Sequence, residues 1–326
     1  MAAAEGVMRT PKKTNYFVRL GRDIRMNKML YLLLLPPVVY FFIFRYMPMY
    51  GLQIAFQEYS PLEGFGVNWV GFRQFRLFMN NPWFFRILRN TITISMYKIS
   101  IGGIAPVILA LMLNEIGARK FRRVVQTVSY LPHFLSWVIV YGVFFFVLNE
   151  NVGVLNNLRE YFGLGRLAIL SNKSYFYQFI VGSSVWKGIG YGSIIYLAAI
   201  SSIPQELYES AVIDGANRWQ QMVNITLPSL YQIFAIMIIL QLGNILSEDF
   251  TQLFMFMGGV EQLHMTDVGE VFETYIFRMG FLGTQYQGPM YSYSAAVGFF
   301  KSAFGMILVV SANSFAKKRL NYRGVF

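Results

Sequence analysis

The stretch Glu209-Ser210-Ala211-Val212-Ile213-Asp214-Gly215-Ala216, followed after eight residues by Ile225-Thr226-Leu227-Pro228, lies between two long apolar runs. Small and charged residues at helical spacing, closed by Gly215, imply a short helix. Asn217 can cap a second short helix through Asn224, and Pro228 can open the next apolar run. Ser201 and Ser202, with Pro204 in the first turn, fit the start of the first helix. The expectation is a helical hairpin held at a membrane face, exposed to another protein. An ordinary loop helix fits the spacing equally well.

The flanking runs set the solvent. The chain has 326 residues, of which 55% are hydrophobic and only 13% charged, whereas a soluble domain carries about 25% charged residues. Lipid is the simplest environment that such a composition tolerates. A membrane-crossing helix needs about 20 mostly apolar residues. Six stretches qualify: 29–57, 90–113, 124–148, 174–200, 229–247 and 289–314. Backbone polar groups in hydrocarbon must be satisfied within the chain, so these read as helices. The expected fold is an all-α membrane protein of six transmembrane helices. Residues 1–28 form a basic N-terminal segment, 29–314 the six-span domain with the hairpin at 201–228, and 315–326 a tail. The first run is too long for the apolar region of a cleaved signal.

Basic residues orient the spans. They concentrate in 9–28, in 119–123, at Arg218 and in 317–323, and thin out over the intervening loops. By the positive-inside rule both termini and the hairpin face the cytoplasm. Topology therefore accounts for the net charge of +12 better than nucleic-acid binding, for which no basic groove with stacking aromatics is present. The chain has no cysteine, hence no disulfide framework or thiolate chemistry.

Polar residues inside the spans are the candidates for function. Arg45, Lys98, Lys187 and Lys301 fall within the apolar runs, which contain no Asp or Glu. A lysine at a helix centre costs roughly 2.5 to 3.5 kcal/mol on insertion scales, so it faces a cavity or a partner. Lys187 and Lys301 lie nearest mid-span and could line a path for an anionic cargo. Hydrogen bonds to carbonyls or pairing with an acid are the structural alternative. Arg45 and Lys98 sit nearer the outer end, where long side chains can reach the interface. Asn244, Asp249 and Gln252, beside Phe250, Phe254 and Phe256, offer the amide, carboxylate and aromatic mixture that suits a sugar. A polar helix end in water fits them as well. His133 and His264 lack metal-like neighbourhoods.

The hairpin resembles the signature of permease subunits of binding-protein-dependent ABC importers: Glu-Ala-Ala, three residues, Gly, nine residues, Ile-x-Leu-Pro. The matching positions are Glu209, Ala211, Gly215, Ile225, Leu227 and Pro228, with Ser210 the one departure. Leu35-Pro36-Pro37, Tyr130-Leu131-Pro132, Thr274 to Arg278, Tyr293 to Gly298 and Ala312-Asn313 are similar to the carbohydrate branch related to maltose permeases. The subclass serving complex oligosaccharides is the nearest, with alginate importers a candidate. The resemblance implies the type I importer fold, with the hairpin as a coupling helix docking into a cytoplasmic ATPase. In that role Glu209 and Asp214 are polar anchors, Ala211 and Gly215 close-packing positions, and Ile225, Leu227 and Pro228 the junction with span five. It also implies a second permease subunit, expected to differ in sequence, a periplasmic or extracellular solute-binding protein, and location in a bacterial plasma membrane. No Gly-x-x-x-x-Gly-Lys-Ser/Thr loop is present, so ATP and Mg are expected on the ATPase and no chemistry on this chain.

Two other classes stand beside this reading. A polytopic glycosyl or lipid transferase would work through loop acids such as Asp267, Glu270 and Glu273. A secondary transporter would show inverted repeats or intramembrane acids.

Overall fold

The computed structural model describes residues 16–66, 68–259, 265–283 and 288–319. The chain falls into two units, 1–53 and 54–326.

The first unit holds α1 (Tyr16–Met26) and α2 (Lys28–Phe41), and α2 continues into a π-turn at Phe42–Tyr46. Pro36 and Pro37 lie inside α2, where missing N–H groups free carbonyls one turn back. No residue of α2 is buried, as an apolar helix bathed in lipid requires.

The second unit is built from α3 (Arg73–Met79), α4 (Trp83–Glu115), α5 (Arg119–Tyr130), α6 (Trp137–Leu148), α7 (Val154–Tyr161) and α8 (Phe176–Ser201), then α9 (Gln205–Ile213), α10 (Arg218–Gln221), α11 (Leu227–Gly243), α12 (Phe250–Phe256), α13 (Thr266–Gly269), α14 (Phe272–Phe277) and α15 (Tyr291–Arg319). Long apolar helices occur at Lys28–Phe56, Trp83–Glu115, Arg218–Gly243 and Tyr291–Ser311. At 26 residues, α8 is about 39 Å long at 1.5 Å per residue, also enough to cross a bilayer.

The expected third span is not one straight helix. Arg119–Phe134 and Trp137–Leu148 meet at 106°. Leu131–Phe134 tightens to 3-10 geometry around Pro132, and Leu135 and Ser136 are extended. The Ser136 hydroxyl then caps α6 by accepting from the Ile139 N–H at 3.3 Å. Apolar residues run through the bend, so composition alone conceals it. The basic residues Arg119, Lys120, Arg122 and Arg123 all lie on α5, before the break.

α4 and α8 approach closely at small residues. A Cβ on Gly192 would stand 3.0 Å from the Pro106 ring of α4, while α5 crowds α8 at Gly190, where a Cβ would collide with the backbone of Ser129 and Tyr130. Small residues at helix crossings are what lipid-embedded packing uses in place of a strong hydrophobic force. Below this crossing Val107, Ala110, Tyr196, Ala199, Ile200 and Leu230 join α4, α8 and α11 in one cluster. A second cluster, including Phe78, Ile87, Phe272, Tyr275 and Tyr293, joins α3, α4, α14 and α15.

Candidate coupling hairpin and polar cavity wall

The hairpin forms, with altered ends. Ser201 and Ser202 finish α8 instead of starting α9, because their hydroxyls donate back to Leu197 O at 2.9 Å and Ala199 O at 2.7 Å. Pro204 is the residue before α9. At the other end Gly215 has φ +80°. Its N–H bonds Val212 O at 3.0 Å and that of Ala216 bonds Ala211 O at 2.8 Å. Those two bonds define a Schellman end, which needs a left-handed residue where glycine sits. Asn217 then caps α10 reciprocally: its side chain accepts from Gln220 N at 2.9 Å, and its N–H donates to Gln220 Oε1 at 2.8 Å.

The expected stop at Asn224 does not occur. The helix runs unbroken from Arg218 to Gly243, through a π-turn at Met222–Thr226. Pro228 sits in the first turn after it; the wider turn accommodates the proline's absent donor without ending the helix.

No residue of α9 is buried. Glu209, Asp214 and Gly215 are exposed, Ala211 half-buried, and Glu209 and Asp214 make no ion pair among the described residues. Ile213 is 85% exposed and Trp219 69%, giving the hairpin an apolar tip flanked by carboxylates. Ile225 is half-buried, and Leu227 and Pro228 are exposed. Tyr208 shares a 2.9 Å hydrogen bond with Thr226, tying α9 to the π-turn. Arg218 lies 3.7 Å from Glu115 at the end of α4. That pair is open to solvent and contributes little. A groove of about 880 Å³, lined by Glu115, Tyr208, Val212, Arg218, Met222 and others, runs along the hairpin.

The intramembrane lysines are all engaged. Lys98 does not reach outward to the interface; it pairs with Glu248 and donates to Gln252 Oε1 at 2.8 Å. The Ser95 hydroxyl, with one proton to donate, lies 2.7 Å from Glu248 Oε1 and 2.5 Å from Ile245 O. Lys301 pairs with Glu273 at 2.6 Å. Lys187 donates to His133 O at 2.7 Å, with its ammonium 5.4 Å from the Trp137 ring centre. The His133 ring itself stacks on Tyr191 at 3.9 Å. Two of these cations, Lys98 and Lys301, are therefore met by acids that follow span five and precede span six, and Lys187 is met by a carbonyl.

Asn244, Asp249 and Gln252 divide. Gln252 is fully buried, its amide donating to Ile180 O and Ser183 Oγ at 2.8 and 3.0 Å. Its oxygen accepts from Lys98 and Ser184. It pins α12 to α8 and is not open to a path. Asp249 caps α12 by accepting from Gln252 N at 3.1 Å, and accepts from the Trp137 indole at 2.5 Å. Asn244 is exposed, donating to Leu240 O at 3.2 Å. Asn244 and Asp249 line a cavity of about 360 Å³ with Ser95, Lys98, Gln241 and Glu248. A second cavity of about 290 Å³, lined by Gly102, Gly103, Gly188, Gly192 and Tyr196 among others, shares Lys98, Met237 and Gln241 with it. Trp137, Ser95 and Glu248 were not foreseen. A lysine within a span, Lys98, was the one signal that an acid had to lie near it.

The loop acids are engaged as well. Asp267 accepts from Lys173 at 2.5 Å and Arg86 at 3.0 Å. The Lys173 hydrogen bond, then its charge, holds the Asp267 carboxyl below the usual carboxylate range. Glu270 takes Arg278 in a bidentate pair at 2.6 and 2.7 Å, and Arg278 also lies over Trp83 and Tyr275. With Glu273 bound to Lys301, each acid of the transferase alternative serves as a cation's partner. His264 lies outside the described residues.

Residues 102–320 match the family described as binding-protein-dependent transport system inner membrane component. The chain belongs to that family. The permease is 40% identical over 321 residues to protein LplB of Bacillus subtilis strain 168, covering 98% of this chain and 96% of that protein. It is 39% identical to the polygalacturonan/rhamnogalacturonan transport system permease protein YteP of the same organism, covering 92% and 91%. Among solved structures, a bacterial alginate ABC transporter in complex with an alginate pentasaccharide-bound periplasmic protein matches with TM-score 0.82 and 37% identity, covering 94% of this permease and 100% of that chain. The type I permease fold implied by the hairpin signature is therefore present, and the family is one of transport.

Proposed function

We propose that this permease forms half of the transmembrane pathway of an ABC importer for an oligosaccharide delivered by an extracytoplasmic solute-binding protein. The exposed hairpin carries the reading. A Schellman end, a capping box and a hydroxyl tie hold its shape without burying its apolar tip, so the tip and its carboxylates are left for a partner. That partner is a separate ATPase, which holds the ATP and Mg; this chain binds neither and hydrolyses nothing. The other half of the pathway is a second permease, expected to differ in sequence, and both termini of this one face the cytoplasm.

The cargo class is supported by the cavity wall. Amide, carboxylate, ammonium and hydroxyl groups converge at Asn244, Asp249, Lys98 and Ser95, the donors and acceptors that sugar hydroxyls take. The names of YteP and of the alginate transporter place acidic polysaccharides among the cargoes of similar proteins, and an acidic oligosaccharide such as an alginate fragment is a candidate here. Lys187 and Lys301, engaged as they are, offer such a cargo little free charge. Alternating access follows if ATPase closure moves the hairpin and with it α11, since the two states must differ in affinity for cargo and in ATPase geometry.

The test is Glu209→Ala in the complex expressed with its neighbouring genes. Membrane insertion is expected to be normal, with weakened ATPase co-purification, or with hydrolysis that no longer drives uptake. Gly215→Trp is expected to act in the same way. Normal uptake in both variants removes the coupling role, and recovery of this chain as a stable, active monomer overturns the importer reading.

A further inference from the structure

Lys98 stands where the two cavities meet, as a shared member of both linings. An ammonium has three N–H donors. Glu248 and Gln252 take two, which leaves one for the contents of the cavities. The side chain is 18% exposed and that of Glu248 6%, so the pair is shielded while the lysine still reaches open space. Glu248 is itself packed in place, its other oxygen lying 2.7 Å from the Ser95 hydroxyl. Gln252, fixed to α8 through Ile180 O and Ser183, aims the ammonium from the other side.

Charge is cancelled within the Lys98–Glu248 pair. Of the residues lining the cavity of about 360 Å³, Lys98 is the cation and Glu248 and Asp249 are the anions. A further cation, Lys187, is bound to His133 O and lies against Trp137, whose indole bonds Asp249. Lys301 is bound to Glu273. A free ammonium would attract a carboxylate in preference to a hydroxyl, whereas a neutralised one offers a directed N–H with no excess charge.

We propose that Lys98 contacts the cargo and that Glu248 is the positioning residue that sets its specificity, making the contact read an oxygen's position and not its charge. This rests on the reading that an oligosaccharide passes this wall. The chemistry predicts reciprocal effects. Removing the acid alone leaves a bare cation, which favours acidic cargo; removing the lysine alone leaves a bare carboxylate, which favours neutral cargo.

The experiment measures uptake by the assembled complex of short oligogalacturonates and of their methyl esters, with an alginate oligosaccharide and its ester as a second pair. The same binding protein serves every variant, so its own preference cancels from the comparison. Glu248→Gln is expected to raise the acid-to-ester uptake ratio at least tenfold, and Lys98→Gln to lower it by a similar factor. Glu248→Asp keeps the original ratio. Because a one-sided change can prevent assembly, the double Lys98→Gln/Glu248→Gln variant is measured too. It removes both charges together and is expected to keep the ratio while raising KM severalfold for both ligands. Ratios that do not move, or that move the same way in both single variants, overturn the assignment; so does an unchanged KM in the double variant. If the unaltered complex takes up neither member of either pair, the oligosaccharide reading fails and this proposal with it. An unmoved ratio in a complex that does transport overturns only the roles of Lys98 and Glu248.

Discussion

Single residues show where local reading stops. The lysines inside the spans stood out because a charge in hydrocarbon must be met, yet their partners lie far along the chain: Glu248 is 150 residues from Lys98, and Glu273 is 28 from Lys301. No spacing rule links such pairs, so the need for a partner was legible and its identity was not. Asn244 and Asp249, singled out by their chemistry, both line the cavity of about 360 Å³. Gln252 has the same chemistry but is buried, and only packing against α8 distinguishes it. Among the loop acids, Asp267 yields a pH prediction. Its carboxyl is held below its ordinary range by Lys173 first, so the pinning is present above the unfolded value and lost as pH falls through the folded one. The contact between the Lys173 loop and the Asp267 turn is expected to persist from about pH 7 to about pH 4.5 and to weaken only below that. Hydrogen exchange across residues 167–175 and 265–270 measures it. Asp267→Asn should raise exchange there at neutral pH, and protection lost already near pH 6 would show that Asp267 is not the pin. Both partners of Asp267 are about half exposed, so the effect is local and global stability changes little.

At the scale of the element, apolar length was read well and interruptions were not. Pro132 and Ser136 are a helix-stop and a helix-start signal separated by three residues, but the apolar run across them masks both. The consequence is a bent pair whose α5 packs on α8 through Gly190. That glycine supports a controlled comparison on one helix. A Cβ at Gly190 would meet backbone atoms of Ser129 and Tyr130, which cannot rotate away, whereas a Cβ at Gly188 meets nothing within 4 Å. Gly190→Ala is expected to push α5 off α8 and destabilise the permease by about 1 to 3 kcal/mol, the usual range for overpacking. Gly188→Ala should be neutral or slightly stabilising, since alanine is the better helix former. Thermal unfolding of the two variants in one detergent gives the comparison, and equal midpoints would show that the α5–α8 crossing yields freely.

For the whole molecule, the question is how motion at the hairpin reaches the cavities. The hairpin was legible because its signals are local: a cap, a left-handed glycine and a proline lie within 28 residues. Its continuity with span five was not, because a proline after a short polar helix reads as a boundary. The structure makes one helix from Arg218 to Gly243, whose first turn carries the hairpin's exposed Trp219 and whose last turns carry Met237 and Gln241 into both cavities. On the proposed coupling role, displacement at one end would be delivered to the cavity wall, provided the π-turn at Met222–Thr226 keeps its geometry. Pro228 favours that turn, having no N–H to offer the carbonyl four residues back. Pro228→Ala restores the donor and allows a regular α-helix through the turn. A π-turn holds one residue more than the α-turn it replaces, and one residue is about 100° of helix rotation. Relaxation would therefore turn the hairpin relative to the cavity-lining face and break the 2.9 Å Tyr208–Thr226 tie. The expected outcome is an assembled complex with near-normal ATP hydrolysis and uptake per ATP reduced severalfold. Adding Tyr208→Phe should cause little further loss, because the tie it removes is already broken. Full coupling in Pro228→Ala would mean that the π-turn is incidental and that force reaches the wall by another route, the Arg218–Glu115 contact with α4 being the next to test.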